Sequence, residues 1–376
     1  MSERDSRGIA SVAGDRITDV VGIEVGHHHR IDADATEGDE TTQGTGWATG
    51  STVVRIRPAR IGMPTATAAV DVRGGGPGTR ETDLLDPVNT VQTAHAILLT
   101  GGSAYGLAAA DGVMHTLEAD GTGLPMDTFG HVVPIVPGAV IFDLPVGGWT
   151  RRPDADFGAR AVASAARDFE VGSVGAGAGA RAGALKGGVG TASMLIADGP
   201  AAGVTVGALM VANPVGTVID PGTGLPWGAT ADDLAYHRLS EPRSDEIAAL
   251  AALEAKRTVL NTTIGVVATD AVLDPASTRR VAMAGHDGLG RAIRPAHSPL
   301  DGDTIFAVAT GAITPPPSPV PIPPGMNPSV AALAAISVVA AEVVSRAIVA
   351  AVVAAESVAG VPSYRDVVPS ALRATH

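Results

Sequence analysis

The stretch LNTTIGVVATDA, residues 260–271, decides how this chain is interpreted. It opens with Asn261, Thr262 and Thr263 and continues as a β-branched apolar run, so the pattern predicts a buried strand over Thr258–Val267 that carries hydroxyl groups into the core. A threonine hydroxyl is a poor nucleophile unless a base lies beside it. Cleavage of the chain before Thr262 would supply that base, because the new α-amine has a pKa near about 7.7–8.0 and is tethered to the hydroxyl that it would deprotonate.

The composition of the chain excludes several classes of protein. Hydrophobic residues make up 45% of its 376 residues and aromatic residues only 3%, so a large core of Ala, Val, Leu and Ile is expected and global disorder is excluded. The net charge of −13 lacks the basic footprint that a phosphate backbone requires, so no nucleic-acid partner is expected. The chain contains no cysteine, which rules out disulfides, zinc–thiolate sites and a cysteine nucleophile. With no thiol in the chain, a hydroxyl group such as that of Thr262 is the nucleophile that we consider for a covalent mechanism.

The ends of the chain carry distinct patterns. Residues 1–16 are polar and contain no apolar segment, which predicts a disordered tail, no signal peptide and a cytoplasmic location. Residues 314–328 are proline-rich and predict a polyproline connector. Residues 17–376 as a whole are predicted to form a single α/β domain with two layers of strands and two of helices.

The segment 328–358 is very rich in Ala and Val and needs a separate test for a membrane span. Three charged residues interrupt it: Glu342, Arg346 and Glu356. The apolar runs between them are shorter than the ~20 residues that a span needs, so no membrane partner is expected. The pattern predicts instead a buried or interface helix, with Asn327 as its N-cap and Pro328 at its first helical position.

Strands and helices are predicted throughout the rest of the chain. Strands are predicted at Ile17–Val25, Ser51–Ile61, Thr65–Val72, within Val132–Leu144, at Thr191–Ala197 and at Gly203–Ala212, and further β-structure through Ile305–Val308. Helices are predicted at Ala104–Ala119, at Asp156–Asp168 and, capped by Ser244, at Asp245–Lys256, whereas Val91–Thr100 is either helical or extended.

Three motifs suggest other chemistries, and each has a plainer explanation. The glycine-rich tract 172–190 contains a loose dinucleotide fingerprint, but it lies deep in the chain and no suitably spaced acidic residue follows it. The residues His27-His28-His29 would point in alternating directions on a strand, so they cannot readily share a metal ion, and a turn after a strand is expected. Ser103 lacks the second glycine of a nucleophile elbow, which favours a helix-capping serine. Neither a cofactor nor a metal is therefore predicted.

Several motifs occur in the same order as in a known family, and together they indicate a resemblance that no single motif indicates alone. They are ITDVVGIEVGH (17–27), Asp71-Val72-Arg73-Gly74-Gly75, HAILLTGGSAYGL (95–107), VPIVPGAVIFDL (133–144), Lys186-Gly187-Gly188, Asn213-Pro214-Val215-Gly216, LNTTIGVVATDA (260–271) and Asp301-Gly302-Asp303-Thr304. Over about residues 17–313 the chain resembles the self-processing aminopeptidases, a family that includes the D-/L-aminopeptidases, the β-peptidyl aminopeptidases and the nylon-oligomer hydrolases. The nylon-oligomer branch is the most similar.

The resemblance implies a fold and a processing event. The fold would be a four-layer αββα sandwich of the N-terminal-nucleophile-like type. The precursor would cut itself between Asn261 and Thr262 into two chains that stay together, 1–261 and 262–376, and Thr262 would become the N-terminal nucleophile.

The resemblance also implies roles for other residues. Asn213 matches the family asparagine that helps to hold the oxyanion, and Lys186 matches a lysine near the nucleophile. Asp301 and Asp303 match an acidic pair of the nylon-oligomer branch, where the peptidase branch has Ser and Glu. On their own, these residues have plainer explanations, such as turn formation for the aspartates and Asn213 or a surface charge for Lys186.

Two aromatic residues in these motifs, Phe142 and Tyr105, are predicted to contact the substrate. Some family members place a tyrosine near position 142, so a phenol hydroxyl available to them is missing here.

The function expected from this resemblance is that of a self-cleaving, N-terminal-threonine amidohydrolase or aminopeptidase. Its substrates would be small peptides, β-peptides or oligomers of ω-amino-acid amides, cleaved through an acyl-enzyme. One alternative is an acyltransferase like the ornithine acetyltransferases, which have a similar fold and also cut before a threonine, although the sequence Asn-Thr-Thr-Ile-Gly does not favour it. The other is a non-catalytic scaffold assembled through the Ala/Val-rich helix.

A homo-oligomer, a tetramer or larger, is also expected. The family resemblance points to one, and the apolar residues of the C-terminal helix exceed what one core-facing stripe needs. They are Val338, Val339, Val343, Val344, Ile348, Val349 and Val352.

Overall fold

Two β-sheets stacked face to face form the centre of the protein in this computed structural model, which describes residues 9–11, 14–59, 65–253, 261–318 and 321–372. The first sheet has the strand order β1 (Ile9–Ser11), β12 (Gly188–Ile196), β13 (Thr205–Ala212), β14 (Ile264–Ala271), β15 (Thr304–Ile313) and β4 (Thr67–Val72). The second has the order β2 (Ile23–Ile31), β3 (Ala48–Ile56), β6 (Ala96–Thr100), β9 (Gly138–Val140) and β5 (Thr79–Arg80). Two small hairpins complete the strands: β7 (Leu124–Pro125) with β8 (Val132–Val133), and β10 (Arg181–Ala182) with β11 (Leu185–Lys186).

Helices cover the outer faces of both sheets. The helices α1 (Ala109–Ala119) and α2 (Ala155–Ala163) pack on the second sheet, and α5 (Pro275–Ala292) and α6 (Val330–Val353) pack on the first. Shorter α-helices are α3 (Ala231–Tyr236), α4 (Ser244–Ala251) and α7 (Tyr364–Val367), and 3-10 helices lie at Ile17–Asp19, Asp83–Leu85, Ser103–Ala108, Gly175–Gly177, Gly199–Ala201 and Pro369–Ala371.

Three hydrophobic cores separate the four layers. The core between the two sheets contains Ile97 and Leu99 of the second sheet and Leu209, Val266 and Phe306 of the first, all essentially inaccessible to solvent. A second core joins the first sheet to α5 and α6, and a third joins the second sheet to α1 and α2. Small aliphatic residues dominate all three cores, as the low aromatic content predicts. The layer order confirms the predicted αββα sandwich.

The register of the first sheet brings three distant segments to one edge. Ile264 of β14 pairs with Val211 of the antiparallel β13 and with Thr304 of the parallel β15. The residues just after β13 and just before β14 and β15 therefore lie side by side. They are Asn213, residues 261–263 and residues 301–303.

Several sequence-based boundaries were wrong at the N-terminal end. Residues 17–19 form a 3-10 helix, and β2 begins only at Ile23, so it runs through His27–His29 where a turn was expected. A disordered tail was predicted for residues 1–16, but residues 9–11 form the strand β1, which pairs with β12. Asp15 is also anchored, because its carboxylate accepts a hydrogen bond from the amide of Ser193 at 3.0 Å.

The helical predictions also need correction. Helix α5 was missed altogether, although Asp274 caps it by accepting the amide of Ser277 at 2.7 Å and Pro275 occupies its first turn. Ser244 is the first residue of α4 and not its cap, and part of the strand predicted at Thr258–Val267 lies outside the described residues.

The C-terminal helix is shorter than predicted and largely internal. It begins at Val330 after the N-cap Ser329 and ends at Val353. By length and composition alone it could cross a membrane, but twelve of its residues are buried in its packing against α5 and the first sheet. Of the seven apolar residues from which assembly was inferred, only Val338 is exposed, so their excess is explained by packing within the chain. The homo-oligomer stays a prediction.

Candidate active site

Thr262 lies at the sheet edge, two residues before Ile264, the first residue of β14, and is only 4% exposed. Its amide donates a hydrogen bond to the carbonyl oxygen of Asn213 at 3.0 Å. Its side-chain hydroxyl donates to the carbonyl oxygen of Asn261, the residue that precedes it. The hydroxyl is therefore held directly against the peptide group at the predicted cleavage point.

The carbonyl oxygen of Asn261 has a second donor. The amide of Gly302 donates to it at 3.1 Å, and the amide of Asn261 itself donates to the carbonyl oxygen of Leu300 at 3.1 Å. Asn261 is thus fixed by the loop that precedes β15. An amide hydrogen directed at a carbonyl oxygen polarises that carbonyl and favours negative charge on its oxygen.

Asp303 is buried beside Thr262 and accepts three hydrogen bonds. One carboxylate oxygen accepts the amide of Thr263 at 2.8 Å. The other accepts both the amide of His297, at 3.2 Å, and its ring Nδ1, at 2.8 Å. The carboxylate therefore connects the residue after the predicted nucleophile to a histidine on a neighbouring loop.

Asp301 is buried as well but has a different environment. Its carboxylate accepts the hydroxyl of Ser298 at 2.6 Å and the amide of Val215 at 3.1 Å. Burial raises the pKa of Asp301 above its usual value, the charge of Asp303 adds to the rise, and the hydrogen bond from Ser298 opposes it. Asp301 thereby joins the loop before β15 to the segment that follows Asn213.

Asn213 has no solvent exposure. Its side-chain carbonyl accepts the amide of Arg181 at 2.9 Å, and its side-chain NH2 donates to the carbonyl oxygen of Phe142 at 3.3 Å. Together with the bond from the amide of Thr262, these contacts make Asn213 the point at which both sheets and the cleavage segment meet.

Lys186 is fully buried, which excludes the alternative explanation of this residue as a surface charge. Its ammonium group donates to the carbonyl oxygens of Gly177 at 2.7 Å and Gly187 at 2.8 Å. Gly188, two residues after Lys186, pairs with Ala212, the residue before Asn213. Lys186 therefore lies at the same edge of the first sheet as the cleavage segment.

The two predicted substrate-contacting residues differ in position. Phe142 joins the cluster through its backbone carbonyl, and its half-buried ring lies edge-on to Trp149 with the centroids 6.3 Å apart. Tyr105 is 57% exposed and packs under the guanidinium group of Arg152. Among the hydrogen bonds, ion pairs and ring contacts of the described residues, none joins Tyr105 to Thr262.

Three further residues belong to the cluster, although the sequence assigned them no role: His297, Ser298 and Gly302. All three lie within the six residues 297–302, so the polar pair His297-Ser298 shortly before Asp301 was a usable signal. Within the described ranges, no group of three His, Asp or Glu side chains is placed to hold a metal ion. That the site works without a metal stays a prediction.

The αββα sandwich is a fold of the N-terminal-nucleophile-hydrolase type, and comparison with known proteins identifies the family of the chain. The family model of peptidase family S58 matches residues 15–365, so the chain belongs to that family. An uncharacterized aminopeptidase of Mycobacterium tuberculosis is 56% identical over 359 residues, which are 94% of this chain and 98% of the relative. A 6-aminohexanoate-oligomer endohydrolase of Kocuria sp. is 33% identical over 279 residues, which are 72% of each protein.

Solved structures agree on the fold. A beta-aminopeptidase of Burkholderia sp. superposes with a TM-score of 0.66 at 22% identity, over 97% of this chain and 94% of that one. The L-aminopeptidase D-Ala-esterase/amidase of Ochrobactrum anthropi, described as a variant of the Ntn hydrolase fold, gives 0.63 at 21% identity, over 96% and 91%. These findings confirm the resemblance to the aminopeptidase and nylon-oligomer hydrolase family. The chain is a hydrolase of the peptidase and amidase class.

Proposed function

We propose that this chain cuts itself between Asn261 and Thr262 and then hydrolyses amides with the new N-terminal Thr262. One observation carries the proposal: the buried hydroxyl of Thr262 donates to the carbonyl oxygen of Asn261 while the amide of Gly302 donates to the same oxygen at 3.1 Å. Nucleophile, target carbonyl and a donor for the developing negative charge are therefore already assembled in the uncut chain.

Maturation follows from this geometry in two steps. The Oγ1 atom of Thr262 gives up its proton and bonds to the carbonyl carbon of Asn261, and the amide of Gly302 stabilises the oxyanion. The carbon–nitrogen bond then breaks, the nitrogen takes up the proton that the hydroxyl gave up and becomes the free α-amine, and Asn261 is left as an ester on Thr262. Water hydrolyses the ester and frees the carboxylate of Asn261 and the hydroxyl of Thr262.

Turnover repeats this chemistry on an external amide. The free α-amine of Thr262 accepts the proton of its own hydroxyl, and Oγ1 attacks the substrate carbonyl. The substrate carbonyl takes the place that the carbonyl of Asn261 occupied, so the amide of Gly302 again donates to the oxyanion. Loss of one such donor typically reduces the rate by ~10²–10³. The amine product leaves, and water hydrolyses the acyl-enzyme.

The remaining polar residues orient this machinery. Asn213 holds the backbone nitrogen of Thr262 and, once that nitrogen is free, its side chain supports the oxyanion. Asp303 fixes the amide of Thr263 and lies next to the new α-amine. Burial raises the pKa of Asp301, which favours the protonated form of this carboxyl group. Lys186 contributes a buried positive charge at the same sheet edge, which favours the anionic form of a nearby nucleophile or oxyanion.

The substrates that we propose are small peptides, β-peptides and oligomers of ω-amino acids. The related proteins support this range, since one is named a beta-aminopeptidase and another a 6-aminohexanoate-oligomer endohydrolase. All such substrates share an amide and a free amine, and the buried carboxylate of Asp303 supplies the opposite charge.

Intact mass spectrometry of the purified chain tests the proposal. The wild-type chain and Thr262→Ser should yield two fragments that separate on denaturation, 1–261 and 262–376, whereas Thr262→Ala should remain one chain. The cleaved protein should release p-nitroaniline from at least one p-nitroanilide of L-alanine, D-alanine, β-alanine or 6-aminohexanoic acid. An uncut wild-type chain would refute self-cleavage. Cleaved protein that transfers acetyl groups to ornithine without hydrolysing any amide would identify an acyltransferase, and inactivity in both assays would favour a scaffold.

A further inference from the structure

His297 directs two hydrogen-bond donors at a single oxygen of Asp303. The ring Nδ1 lies 2.8 Å from Oδ2 and the backbone amide 3.2 Å from the same atom, while Oδ1 accepts the amide of Thr263 at 2.8 Å. Both oxygens of the carboxylate are therefore held, and the group cannot rotate without breaking at least one of these bonds. Charge-assisted hydrogen bonds of this kind are among the stronger ones in proteins.

The backbone of His297 explains how two donors reach one atom. Its φ of 53° lies in the left-handed region, which costs a residue other than glycine on the order of 1 kcal/mol or more. The turned backbone points the amide and the ring in the same direction. The two hydrogen bonds to Asp303 thus accompany a backbone conformation of His297 that is unfavourable in isolation.

The surroundings of the His297 ring favour one tautomer. Because Oδ2 of Asp303 only accepts, Nδ1 carries the hydrogen, and Nε2 is a buried atom without a hydrogen-bond partner among the described residues. The ring of His286 on α5 packs edge-on against it, with the centroids 4.9 Å apart. Burial lowers the pKa of His286 to about 4, so this neighbour is neutral near pH 7. The Nε2 atom of His286 contacts the carbonyl oxygen and the carboxylate of Asp71 on β4. The carboxylate of Asp71 also forms an ion pair with Arg73.

We propose that His297 is the positioning residue for the catalytic threonine and acts through Asp303; this inference rests on the proposed function. In the uncut chain, Thr262 is held by covalent bonds on both sides. After cleavage its only covalent support is Thr263, and the amide of Thr263 is fixed by the carboxylate that His297 holds. The position of the free α-amine and hydroxyl then depends on the chain of contacts His297–Asp303–Thr263. His297 should therefore matter more for turnover than for self-cleavage.

Two substitutions separate the ring's hydrogen bond from the backbone conformation. His297→Asn keeps an N–H donor near the position of Nδ1 and tolerates a left-handed φ, whereas His297→Gly tolerates that φ and removes the side-chain donor. With the p-nitroanilide that the wild-type enzyme hydrolyses fastest, His297→Gly should lower kcat by about 10–100-fold and change KM by less than about 3-fold, as expected for a misplaced nucleophile. His297→Asn should recover kcat to within about 5-fold, and both variants should self-cleave within about 5-fold of the wild-type rate.

Several outcomes would overturn the inference while the proposed function stands. If wild-type protein cleaves and turns over, but His297→Gly keeps its kcat or loses it through KM, His297 does not position the nucleophile. Equal impairment of His297→Asn and His297→Gly would show that the δ donor is irrelevant. If His297→Gly does not fold, His297→Gln, whose donor lies one bond further out, should show the same loss of kcat. A wild-type chain that stays uncut would refute the proposed function itself.

Discussion

Gly302 lies so close to Thr262 that a Cβ atom added at position 302 would stand 2.8 Å from the threonine Oγ1. The same atom would be 2.7 Å from the carbonyl oxygen of Gly76, a backbone group that cannot swing aside like a flexible side chain. Position 302 therefore has to be glycine for two reasons. A side chain would collide with the hydroxyl of Thr262 that is to attack, and it would also collide with the backbone carbonyl of Gly76.

Replacing this glycine should block self-cleavage. In Gly302→Ala the added methyl group must displace either the hydroxyl of Thr262 or the loop before β15, so the attacking atom loses its alignment with the carbonyl of Asn261. We expect a fall of at least about 10²-fold in the rate of chain cleavage, measured by intact mass spectrometry after expression at low temperature.

Gly290→Ala is the matched control for that experiment. Gly290 lies inside α5, and a Cβ added there meets no atom within 4 Å. Alanine should raise helix stability by about 0.5–1 kcal/mol without affecting cleavage. Unaltered cleavage in Gly302→Ala would show that the close contact with Thr262 has no role.

Asn213 should be intolerant of a change of one atom. In Asn213→Asp the oxygen that accepts the amide of Arg181 is kept, but the NH2 group that donates to the carbonyl oxygen of Phe142 becomes a second oxygen. Two oxygens would then repel each other in a buried place, and a donor for the oxyanion would be lost. We expect kcat for a p-nitroanilide to fall by about 10²–10³-fold.

The exposed Asn89 provides the comparison for this substitution, because Asn89→Asp adds the same charge on the surface. It should leave kcat within about 2-fold of the wild-type value. Similar kinetics for the two variants would mean that the effect at position 213 is only one of net charge.

The motifs identified Thr262, Asn213 and Asp303 individually, but not why they meet. Their proximity follows from the register of β13, β14 and β15, in which Ile264 pairs with Val211 and Thr304. Such pairings join residues far apart in the chain, and local patterns do not specify them. Two layers of strands and two of helices could be predicted from the apolar patterns, and the family resemblance implied their αββα order.

Other features escaped prediction for local physical reasons. Helix α5 contains three internal glycines and many polar residues, so its apolar periodicity is weak even though its cap is clear. His297 acts through a left-handed backbone turn, which a histidine adopts only because its neighbours hold it there. Neither a helix stabilised by tertiary packing nor a turn stabilised by its contacts is visible in the local sequence.

Lys186 should be required for stability as well as for activity. Lys186→Met keeps the side chain as far as Cε but removes the ammonium donor from the carbonyl oxygens of Gly177 and Gly187. Of the two, the carbonyl oxygen of Gly177 also accepts a backbone amide, from Ala180 at 3.2 Å. A buried acceptor without a partner costs about 1–3 kcal/mol, so the free energy of unfolding should fall by about 1–3 kcal/mol. Urea unfolding followed by circular dichroism measures this change.

The control for Lys186 removes a cation from the surface. Arg57 is 45% exposed in its side chain and pairs with Glu24 at 3.1 Å, an arrangement that contributes about 0–1 kcal/mol. Arg57→Met should therefore have little effect on unfolding. A similarly small effect of Lys186→Met would show that the buried ammonium group is not needed to hold the two glycine segments.

The protein should lose stability in mild acid partly because of His27, whose ring contacts the hydroxyl of Thr52 at 2.9 Å and the carbonyl oxygen of Glu170 at 3.1 Å. Burial lowers the pKa of His27 from 6.5 to about 4. Between these values the unfolded chain binds a proton and the folded chain does not, so the free energy of unfolding falls as the pH drops from 6.5 to 4. This histidine alone accounts for at most about 3 kcal/mol.

His27→Gln should therefore reduce the slope of stability against pH, because glutamine can still donate to the carbonyl oxygen of Glu170 but does not titrate. Urea unfolding at pH 7.5, 5.5 and 4.5 should show a smaller loss for the variant than for the wild type, by up to about 3 kcal/mol at pH 4.5. His115, whose side chain is 72% exposed, serves as the control, and His115→Gln should follow the wild-type slope. If the wild-type slope persists in His27→Gln, protonation of His27 does not destabilise the folded state. The acid sensitivity must then come from other buried histidines. Candidates are His237 and His286, because burial also lowers their pKa values to about 4.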